Sequence, residues 1–269
     1  MRTGAALSLS ILLLSPVAAG PALAAWCEAP GRGLAIFNVT MATASAALDE
    51  EGTARPIPLE SKIEVAPWLQ FGLAEGVTAV FQPTWGSTRQ NLGGDTMGGD
   101  QGISSLFFGL RREIWSAEGE VFSIQPGLTV SPGPAARDRR LGGGDPLAEI
   151  RLLYGTGFAL PDFWAPVASG GFATLELAPR LREGGRDSRL EMQATLGLDL
   201  ADGDQLLIQA LSQHGLGPGA GRFAKQQVTV STITPLLPDL SLQLGAGRIL
   251  AGQGVPLETS GVIALWLRF

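Results

Sequence analysis

Hydrophobic and polar residues alternate one by one along most of this chain, which is the period of a β-strand rather than of a helix. From Leu190 to Leu200, apolar residues occupy every second position, and charged, amide or small residues occupy the positions between them. The alternation lasts for about a dozen residues, whereas a tilted strand needs about 9–11 residues to cross a bilayer. This segment therefore predicts a membrane-crossing strand with one apolar and one polar face.

The same pattern recurs often enough to predict twelve strands. We place them at residues 33–45, 59–73, 77–86, 101–113, 120–131, 147–160, 167–182, 188–201, 205–214, 223–235, 239–249 and 258–269. Short turns alternate with mostly longer connections along the chain. The mostly longer connections lie at 46–58, 87–100, 132–146, 183–187, 215–222 and 250–257. Bacterial barrels alternate short periplasmic turns with longer outer loops, and an even strand count keeps both termini periplasmic. We therefore predict an all-β fold, a transmembrane antiparallel up-and-down β-barrel, with a soluble β-sandwich as the alternative.

The chain ends on an alternating strand whose last residue is aromatic. Ile263, Leu265, Leu267 and Phe269 share one face of this strand. A terminal phenylalanine behind such a strand resembles the signature by which the outer-membrane assembly machinery recognises barrels. The ending therefore predicts Phe269 as an assembly signal, with the barrel assembly machinery and outer-membrane lipid as partners.

Four prolines do not fit a regular barrel. Pro67, Pro83, Pro126 and Pro179 fall inside predicted strands, on the face that we assign to lipid. Proline lacks the N–H group that a sheet ladder uses, so a closed sheet should disfavour it. We expect Pro67 and Pro83 to lie roughly opposite one another across the turn at Glu75, and we expect bulges to accommodate the prolines.

The first 24 residues have the pattern of a secretory signal peptide. Arg2 supplies the positive start, residues 7–14 supply an apolar stretch, and Ala22-Leu23-Ala24 forms a small-x-small cleavage site. The apolar stretch is short for a membrane-spanning helix, although a retained anchor is the alternative. We therefore predict a signal peptide at 1–24 and one barrel domain at 25–269, exported through the periplasm.

Cys27 is the only cysteine, so it cannot form a disulfide within its own fold. Lipidation of Cys27 is one alternative, but Trp26 stands where a lipoprotein signal needs a small residue. We expect a free thiol in a loose N-terminal segment.

Composition adds to the membrane interpretation. Charged residues are only 16% of the chain, and the formal net charge is −6, which argues against nucleic acid as a partner. A charge on the lipid face costs about 2–4 kcal/mol near the midplane, so we expect charges to line the lumen. The predicted lumen-lining residues are Lys62, Glu64, Arg111, Glu113, Glu149, Arg151, Glu176, Arg180, Arg189, Glu191, Gln209 and Lys225.

The mixed signs of these residues leave two interpretations open. The charges and amides could form a narrow polar pore that passes small solutes. Alternatively, arginines and carboxylates could pair across the lumen and seal it, which would leave a structural or surface-interaction barrel. Twelve strands enclose more than a packed eight-stranded barrel and less than a sixteen-stranded porin, so any path is narrow. The oligomeric state is not fixed by the sequence.

An outer-leaflet lipid hydrolase is the enzymatic alternative. Some twelve-stranded outer-membrane enzymes hydrolyse lipids with a Ser/His pair on the outward face of a strand. Here Ser212 and the only histidine, His214, share one face, and parity places that face toward lipid. Their order is reversed relative to the His-x-Ser of those enzymes, and a serine nucleophile also needs a third group that orients the histidine. A polar strand end is the simpler interpretation.

No cofactor and no metal site are expected. Residues 91–100 and 142–146 contain Gly and Asp, but they lack the alternating ligands of a calcium loop. Zinc-ligand spacing, a P-loop and a dinucleotide fingerprint do not occur in the sequence.

Three stretches carry a family resemblance. Residues 64–78, with Trp68-Leu69-Gln70-Phe71-Gly72-Leu73, resemble the first hairpin of small outer-membrane transporters of the meta-pathway phenol-degradation type. Ile124-Gln125-Pro126-Gly127 and the ending Leu265-Trp266-Leu267-Arg268-Phe269 resemble the same proteins. The resemblance implies passive uptake of small compounds, aromatic ones among them, and it carries over no binding residue.

Overall fold

The structure is a computed structural model that describes residues 25–91, 97–132, 146–182, 188–216 and 223–269. The predicted signal peptide lies outside the described residues, as do most of the Gly- and Asp-rich stretches considered for calcium. Within the described ranges, no helix is both long enough and apolar enough to cross a membrane.

Twelve antiparallel strands close into a barrel, as the alternation predicts. Strand β2 consists of two segments on either side of Ala66 and Pro67. Strand β1 pairs with β2 on one side and with β12 on the other, which closes the ring. The strands are β1 Gly33–Leu48, β2 Ala54–Val65 with Trp68–Ala74, β3 Val77–Asn91, β4 Gln101–Ala117, β5 Glu120–Val130, β6 Leu147–Ala159, β7 Ala168–Arg182, β8 Arg189–Leu200, β9 Gln205–Gly215, β10 Ala224–Leu237, β11 Leu240–Gln253 and β12 Thr259–Arg268.

The termini of the barrel lie together, beside the short turns. The backbone N–H of Gly33 donates to the carbonyl of Phe269, at 2.7 Å, and the N–H of Phe269 donates back to Gly33, at 3.0 Å. The last residue therefore extends the junction between β12 and β1. In bacterial barrels the end with short turns is the periplasmic one, and it is called the periplasmic end below.

Two predicted outer loops are mostly β-structure. The segment 46–58 contracts to a turn at residues 49–53, because β1 continues to Leu48 and β2 begins at Ala54. The segment 250–257 continues β11 to Gln253, and Val255–Pro256 then pairs with the end of β1. At the turn between β1 and β2, Arg55 on β2 donates to Asp49 at 2.6 Å, and this hydrogen bond lowers the pKa of the Asp49 carboxyl. The proline and glycine residues of these segments favoured loops, so the sequence did not predict that the strands extend into them.

The two faces of the wall are inverted relative to a water-soluble fold. Large apolar side chains remain exposed on the outside, among them Phe37, Ile63, Phe108, Ile150, Leu175, Ile208, Leu244 and Leu265. Polar side chains are buried on the inside, among them Gln70, Arg111, Gln125, Glu149, Glu176, Glu191 and Gln243. Soluble proteins bury apolar residues and keep ionised ones in water. The exterior therefore suits the hydrocarbon of a bilayer, as in outer-membrane barrels.

The four prolines coincide with gaps in the hydrogen-bonded ladders, and these gaps contain no bulge; next to Pro83, the β3–β4 ladder does shift register, between Thr84 and Trp85. Pairing of β2 with β3 stops after Val65–Trp85 and resumes at Leu69–Phe81 in the same register. Pro67 and Pro83 lie opposite each other inside this gap, as predicted. Shorter gaps without a register shift accompany Pro126 in the β4–β5 ladder and Pro179 in the β6–β7 ladder. An unchanged register means that no extra residue was inserted, which a bulge requires.

Candidate functional site

A cavity of about 480 Å³ occupies the middle of the lumen. Strands from the whole circumference contribute to it, so the cavity lies on the barrel axis and not in the wall. Neutral polar side chains form much of its lining: Asn38, Thr40, Gln82, Ser105, Thr129, Gln193, Thr195, Gln209, Gln227, Thr229, Gln243 and Ser260. Such donors and acceptors can solvate a small polar solute or water.

Five charged side chains form a network on one side of this cavity. The charged network consists of Glu149 and Arg151 on β6, Glu176 and Arg180 on β7, and Glu191 on β8. The Arg151 guanidinium lies 2.7 Å from Glu176, 3.1 Å from Glu191 and 3.3 Å from Glu149. The Arg180 guanidinium lies 2.9 Å from Glu149 and 3.1 Å from Glu191. Because each buried carboxylate contacts a guanidinium, the network neutralises charges that burial alone would strongly disfavour.

The charges on the cavity wall balance. The lining contains the guanidiniums of Arg111, Arg151 and Arg180 and the carboxylates of Glu149, Glu176 and Glu191. Three positive and three negative groups give a net charge of zero at neutral pH. The network is also anchored from β9, where the Gln213 amide donates to Glu191 at 2.7 Å. The cavity therefore carries strong local fields with little overall preference for either sign of ion.

Aromatic side chains adjoin the cavity away from the charged network. Trp68 on β2 and Phe107 on β4 lie with ring centroids 6.1 Å apart and planes only 12° from parallel. Both rings line the cavity. Trp266 on β12 also reaches it, and its indole N–H donates to Gln243 at 2.9 Å. A solute in the cavity thus meets charges on one side and flat apolar surfaces on the other.

Towards the periplasmic end, an apolar layer packs inside the lumen. The layer consists of Leu34, Phe172, Leu207, Ile233, Ala264 and Trp266. Each of these side chains is at most 8% exposed. An inward side chain in a wide, water-filled lumen would remain accessible, so the lumen is filled where these residues lie. Phe172 occupies space that a Cβ atom on Gly197 would enter, which explains the glycine at that position on the next strand.

The sequence did not predict this layer correctly. Trp266 lies near the end of β12, and its side chain is only 8% exposed. Its neighbours Leu265 and Leu267 remain exposed on the outside, so parity turns Trp266 inward. The inward parity of Phe172 and Leu207 was the available signal for the rest of the layer.

Residues 25–32, the N-terminal segment, lie inside the barrel. The segment runs across the inner surfaces of β2 to β6. The Arg111 guanidinium donates to the carbonyl of Trp26 at 2.8 Å, and the Ser123 hydroxyl donates to the carbonyl of Ala25 at 2.6 Å. The N–H of Glu28 donates to the Thr78 hydroxyl at 2.7 Å. The prediction of a loose N-terminal segment was therefore wrong.

Apolar contacts add to these hydrogen bonds. Ala25 and Trp26 pack with Val121 and Leu153 in a small cluster. The Trp26 ring occupies the space over Gly155, where a Cβ atom would clash with it. The N-terminal segment covers the walls of β2 to β6, while the apolar layer draws on β1, β7, β9, β10 and β12. Together they close most of the circumference at the periplasmic end.

Cys27 is a free thiol within the N-terminal segment. Its sulfur lies 3.9 Å from the carbonyl oxygen of Arg111, and the residue is half-buried. A lipid attached here would have to occupy the polar lumen, which disfavours the lipidated alternative.

The predicted lumen-lining residues fall into two groups. Arg111, Glu149, Arg151, Glu176, Arg180, Glu191 and Gln209 line the cavity. The other five lie outside the cavity. Lys62 and Glu64 lie 3.6 Å apart on β2, and Lys225 is the second residue of β10. Arg189 lies over the Phe223 ring at 5.7 Å, and Glu113 accepts from Ser116 at 2.6 Å.

Ser212 and His214 lie apart from the cavity. The residue between them, Gln213, points inward to Glu191, so Ser212 and His214 project from the outer face. The Ser212 hydroxyl oxygen and His214 Nε2 lie 3.0 Å apart. Among the described residues, no carboxylate bonds to the histidine ring. In the same ranges, no cluster of three or more His, Cys, Asp or Glu side chains could hold a metal ion.

Comparison with known proteins identifies the fold. No protein-family model matches this chain, and no curated protein does. An outer membrane channel from Pseudomonas putida F1 superposes with a TM-score of 0.70 at 14% identity, covering 91% of this chain and 97% of that one. The translocator domain of the autotransporter NalP from Neisseria meningitidis gives 0.49 at 14% identity, covering 90% of each chain. The CymD monoaromatic hydrocarbon channel gives 0.42 at 10% identity, covering 90% of this chain and 89% of that one. The first likeness establishes the outer-membrane barrel fold.

Proposed function

We propose that this protein is an outer-membrane channel that passes small molecules passively through a narrow lumen. The observation that carries the proposal is the cavity of about 480 Å³ on the barrel axis, lined by amides, hydroxyls and balanced charges. A barrel with only a structural role would not need a polar cavity on its axis. The likeness to an outer membrane channel from Pseudomonas putida supports the same conclusion.

Passage requires the periplasmic end to open. The N-terminal segment is joined to β1 through Gly31, whose φ of +75° turns the backbone and whose N–H donates to the carbonyl of Gly72 on β2 at 2.9 Å. Its inner end is attached through the hydrogen bonds to Arg111, Ser123 and Thr78. The two neutral bonds contribute about 0.5–1.5 kcal/mol each and the bond from the charged guanidinium about 1.5–3 kcal/mol, which is small enough for reversible release.

The lining favours small solutes of low net charge. Balanced charges disfavour strong selection for one sign of ion, whereas the Trp68 and Phe107 rings offer flat apolar contact. Small aromatic compounds, which the resemblance to the phenol-degradation transporters implies, fit this combination. We further propose that signal cleavage near Ala25 and recognition of Phe269 by the assembly machinery bring the barrel to the outer membrane.

Liposome swelling tests the proposal. Purified protein in liposomes should admit small uncharged solutes, with rates that fall steeply as solute size increases. Gln193→Trp, which fills the cavity, should reduce the rate. Thr232→Trp on the outer face of β10 is the matched control and should leave it unchanged. No protein-dependent swelling by any solute would favour the sealed structural barrel instead.

One contact favours a second candidate function. The 3.0 Å separation of Ser212 Oγ and His214 Nε2 is the geometry by which a histidine activates a serine nucleophile. On the outer face, this pair would meet lipid ester bonds. Release of fatty acid from phospholipid in mixed micelles should then disappear in both Ser212→Ala and His214→Ala, but not in Ser260→Ala inside the lumen. Hydrolysis that survives His214→Ala removes this candidate.

A further inference from the structure

One row of outward side chains near the outer end of the barrel, opposite the periplasmic end, is polar although it faces the membrane. The row crosses five neighbouring strands, β11, β12, β1, β2 and β3, and each member lies directly opposite the next in the strand register. We call this set the arginine–hydroxyl row, and its members are Arg248, Thr259, Thr43, Ser61 and Arg89. Hydroxyl groups at its centre are thus flanked by one arginine on each side.

The row projects from the outer face of the wall. By strand parity, Arg248 shares its face with the exposed Leu244, and Thr43 shares its face with the exposed Met41. Both arginines and both threonines of the row are themselves exposed. Within the described ranges, the guanidiniums of Arg89 and Arg248 form no hydrogen bond or ion pair with another side chain. Their donors therefore face the surroundings of the barrel.

The outward charge on this side of the barrel has a single sign. In the described residues of the five strands, no carboxylate points outward, and the third outward arginine, Arg55, is already paired with Asp49. The outer halves of β5 to β8, on the opposite side, present apolar side chains to the membrane, among them Leu128, Ile150, Leu181 and Met192. A general need for cations at the bilayer surface would distribute them around the whole barrel. Their confinement to one side indicates an anionic partner there.

The row lies at the level where the hydrocarbon of the bilayer ends. Thr43 is about ten residues beyond the periplasmic start of β1, which in a tilted strand corresponds to a height of about 25 Å. The apolar band of outer-membrane barrels has about this height. Because the strands tilt, Arg248 starts about 10 Å deeper than Arg89, and its long side chain extends outward. Both guanidiniums therefore reach the headgroups of the outer leaflet.

Directly below the row, the outer face of the wall has a shallow depression. Ala246 on β11 and Gly261 on β12 lie opposite each other, one outward position nearer the periplasmic end. A Cβ atom on Gly261 would meet only open space. At the next outward position, the exposed side chains of Leu244 and Ile263 project again. The depression therefore offers an acyl chain a place against the wall beneath the arginines.

We propose that the arginine–hydroxyl row binds the phosphorylated headgroup of a glycolipid of the outer leaflet. A guanidinium donates two parallel hydrogen bonds to a phosphate, and it stays charged at any physiological pH. The hydroxyls between the arginines provide neutral partners for the sugar of the headgroup, and an acyl chain lies in the depression below. Phosphorylated glycolipid is the main lipid in the outer leaflet of Gram-negative outer membranes. The barrel thus holds one such lipid against β11, β12, β1, β2 and β3.

Photo-crosslinking from the centre of the row tests the proposal. Thr43→Cys in a Cys27→Ser background is labelled with benzophenone maleimide and reconstituted into phosphatidylethanolamine vesicles that contain a minor fraction of diphosphoryl lipid A. Ile150→Cys in the same background is the matched control, because Ile150 is exposed at a similar height on the opposite side. Mass spectrometry after illumination measures the lipid A adduct relative to the phosphatidylethanolamine adduct at each position.

Lipid A should be enriched at position 43 by roughly tenfold over its share of the vesicle lipid, because two charge-assisted contacts select it. At position 150 the adducts should follow the lipid composition. Adding Arg89→Gln/Arg248→Gln should remove the enrichment at position 43, whereas Arg89→Lys/Arg248→Lys should retain part of it. Arg55→Gln, which also removes an outward arginine of β2, should leave the enrichment unchanged, because Arg55 is already paired with Asp49.

Lipid A from which phosphatase has removed both phosphates separates headgroup binding from acyl-chain packing, and it should show no enrichment at position 43. Three results would overturn the proposal. They are equal adduct ratios at positions 43 and 150, enrichment that persists in Arg89→Gln/Arg248→Gln, and enrichment of the phosphate-free lipid. None of these measurements depends on passage through the lumen, so their failure would leave the proposed channel unaffected.

Discussion

The middle of the lumen and its periplasmic end are built by the same twelve strands, yet one contains a cavity and the other is filled. In the middle, amides, hydroxyls and the charged network line about 480 Å³ of space. At the periplasmic end, the apolar layer and the N-terminal segment pack together. The difference lies in which side chains occupy the inward positions and in the N-terminal segment that lies against them, because the same strands form the wall at both levels. Polar inward residues retain a solvated space, whereas apolar ones collapse onto each other as in a soluble core.

The largest expected effect concerns the stability of the filled end. Phe172→Ala removes a buried ring from the apolar layer and should lower the free energy of unfolding by about 3–5 kcal/mol. Phe37→Ala removes an exposed ring from the lipid face and should cost clearly less. Urea unfolding in detergent micelles measures both. Equal losses would mean that the apolar layer is not a packed core.

The next effect concerns the charges of the cavity. Arg151→Met leaves three carboxylates short of a partner, and removing one member of a buried ion pair costs about 3–5 kcal/mol. It also changes the lining from net zero to −1, so reversal potentials in a KCl gradient should shift towards cation selectivity. Glu176→Gln changes the lining to +1 and should shift them the other way. Identical reversal potentials in both variants would place the conducting path away from the network.

A smaller effect should appear at the N-terminal segment. Trp26→Ala removes the ring that packs over Gly155 and should release the segment more often. Cys27, the only thiol of the chain, then reports the release, because a charged methanethiosulfonate reagent reaches its half-buried sulfur more readily when the segment leaves the wall. We expect faster labelling than in the wild type. Leu59→Ala, on the exposed outer part of β2, is the control and should label at the wild-type rate.

The smallest effect lies outside both regions, in the turn between β1 and β2. The pKa of Asp49 is lowered by its hydrogen bond to Arg55 and by the N–H of Thr53. A lowered folded-state pKa contributes stability above the ordinary pKa of the group, and that contribution disappears as pH falls through the folded value. The Thr53 amide resonance should therefore titrate below the ordinary range of aspartate. Conductance should not change over the same pH interval.

The barrel wall was predictable because its signal is local. Alternation from Leu190 to Leu200 placed β8 to within one residue at each end, and the parity of Ile263, Leu265 and Leu267 gave the correct outer face. The opposition of Pro67 and Pro83 followed from counting along the hairpin. Their effect did not, because whether a proline causes a bulge or a gap depends on the neighbouring strand.

The contents of the lumen were much less predictable, because they depend on contacts between distant residues. The N-terminal segment has no periodic pattern of apolar residues. Its position depends on Arg111 and Ser123, which lie up to about a hundred residues away along the chain. The mixed charges were equally consistent with a pore and with a sealed lumen, because the sequence does not show that Glu149, Glu176 and Glu191 gather around the same guanidiniums. Only the assembled barrel brings β6, β7 and β8 together.

Single-channel conductance of a variant without residues 25–31 tests the central contrast most directly. The wild type should conduct poorly and intermittently in planar bilayers, because the N-terminal segment covers the walls of β2 to β6 at the periplasmic end. The truncated variant should show a larger and sustained conductance, with the reversal potential of the intact cavity. Identical conductance in the two proteins would contradict closure by the N-terminal segment.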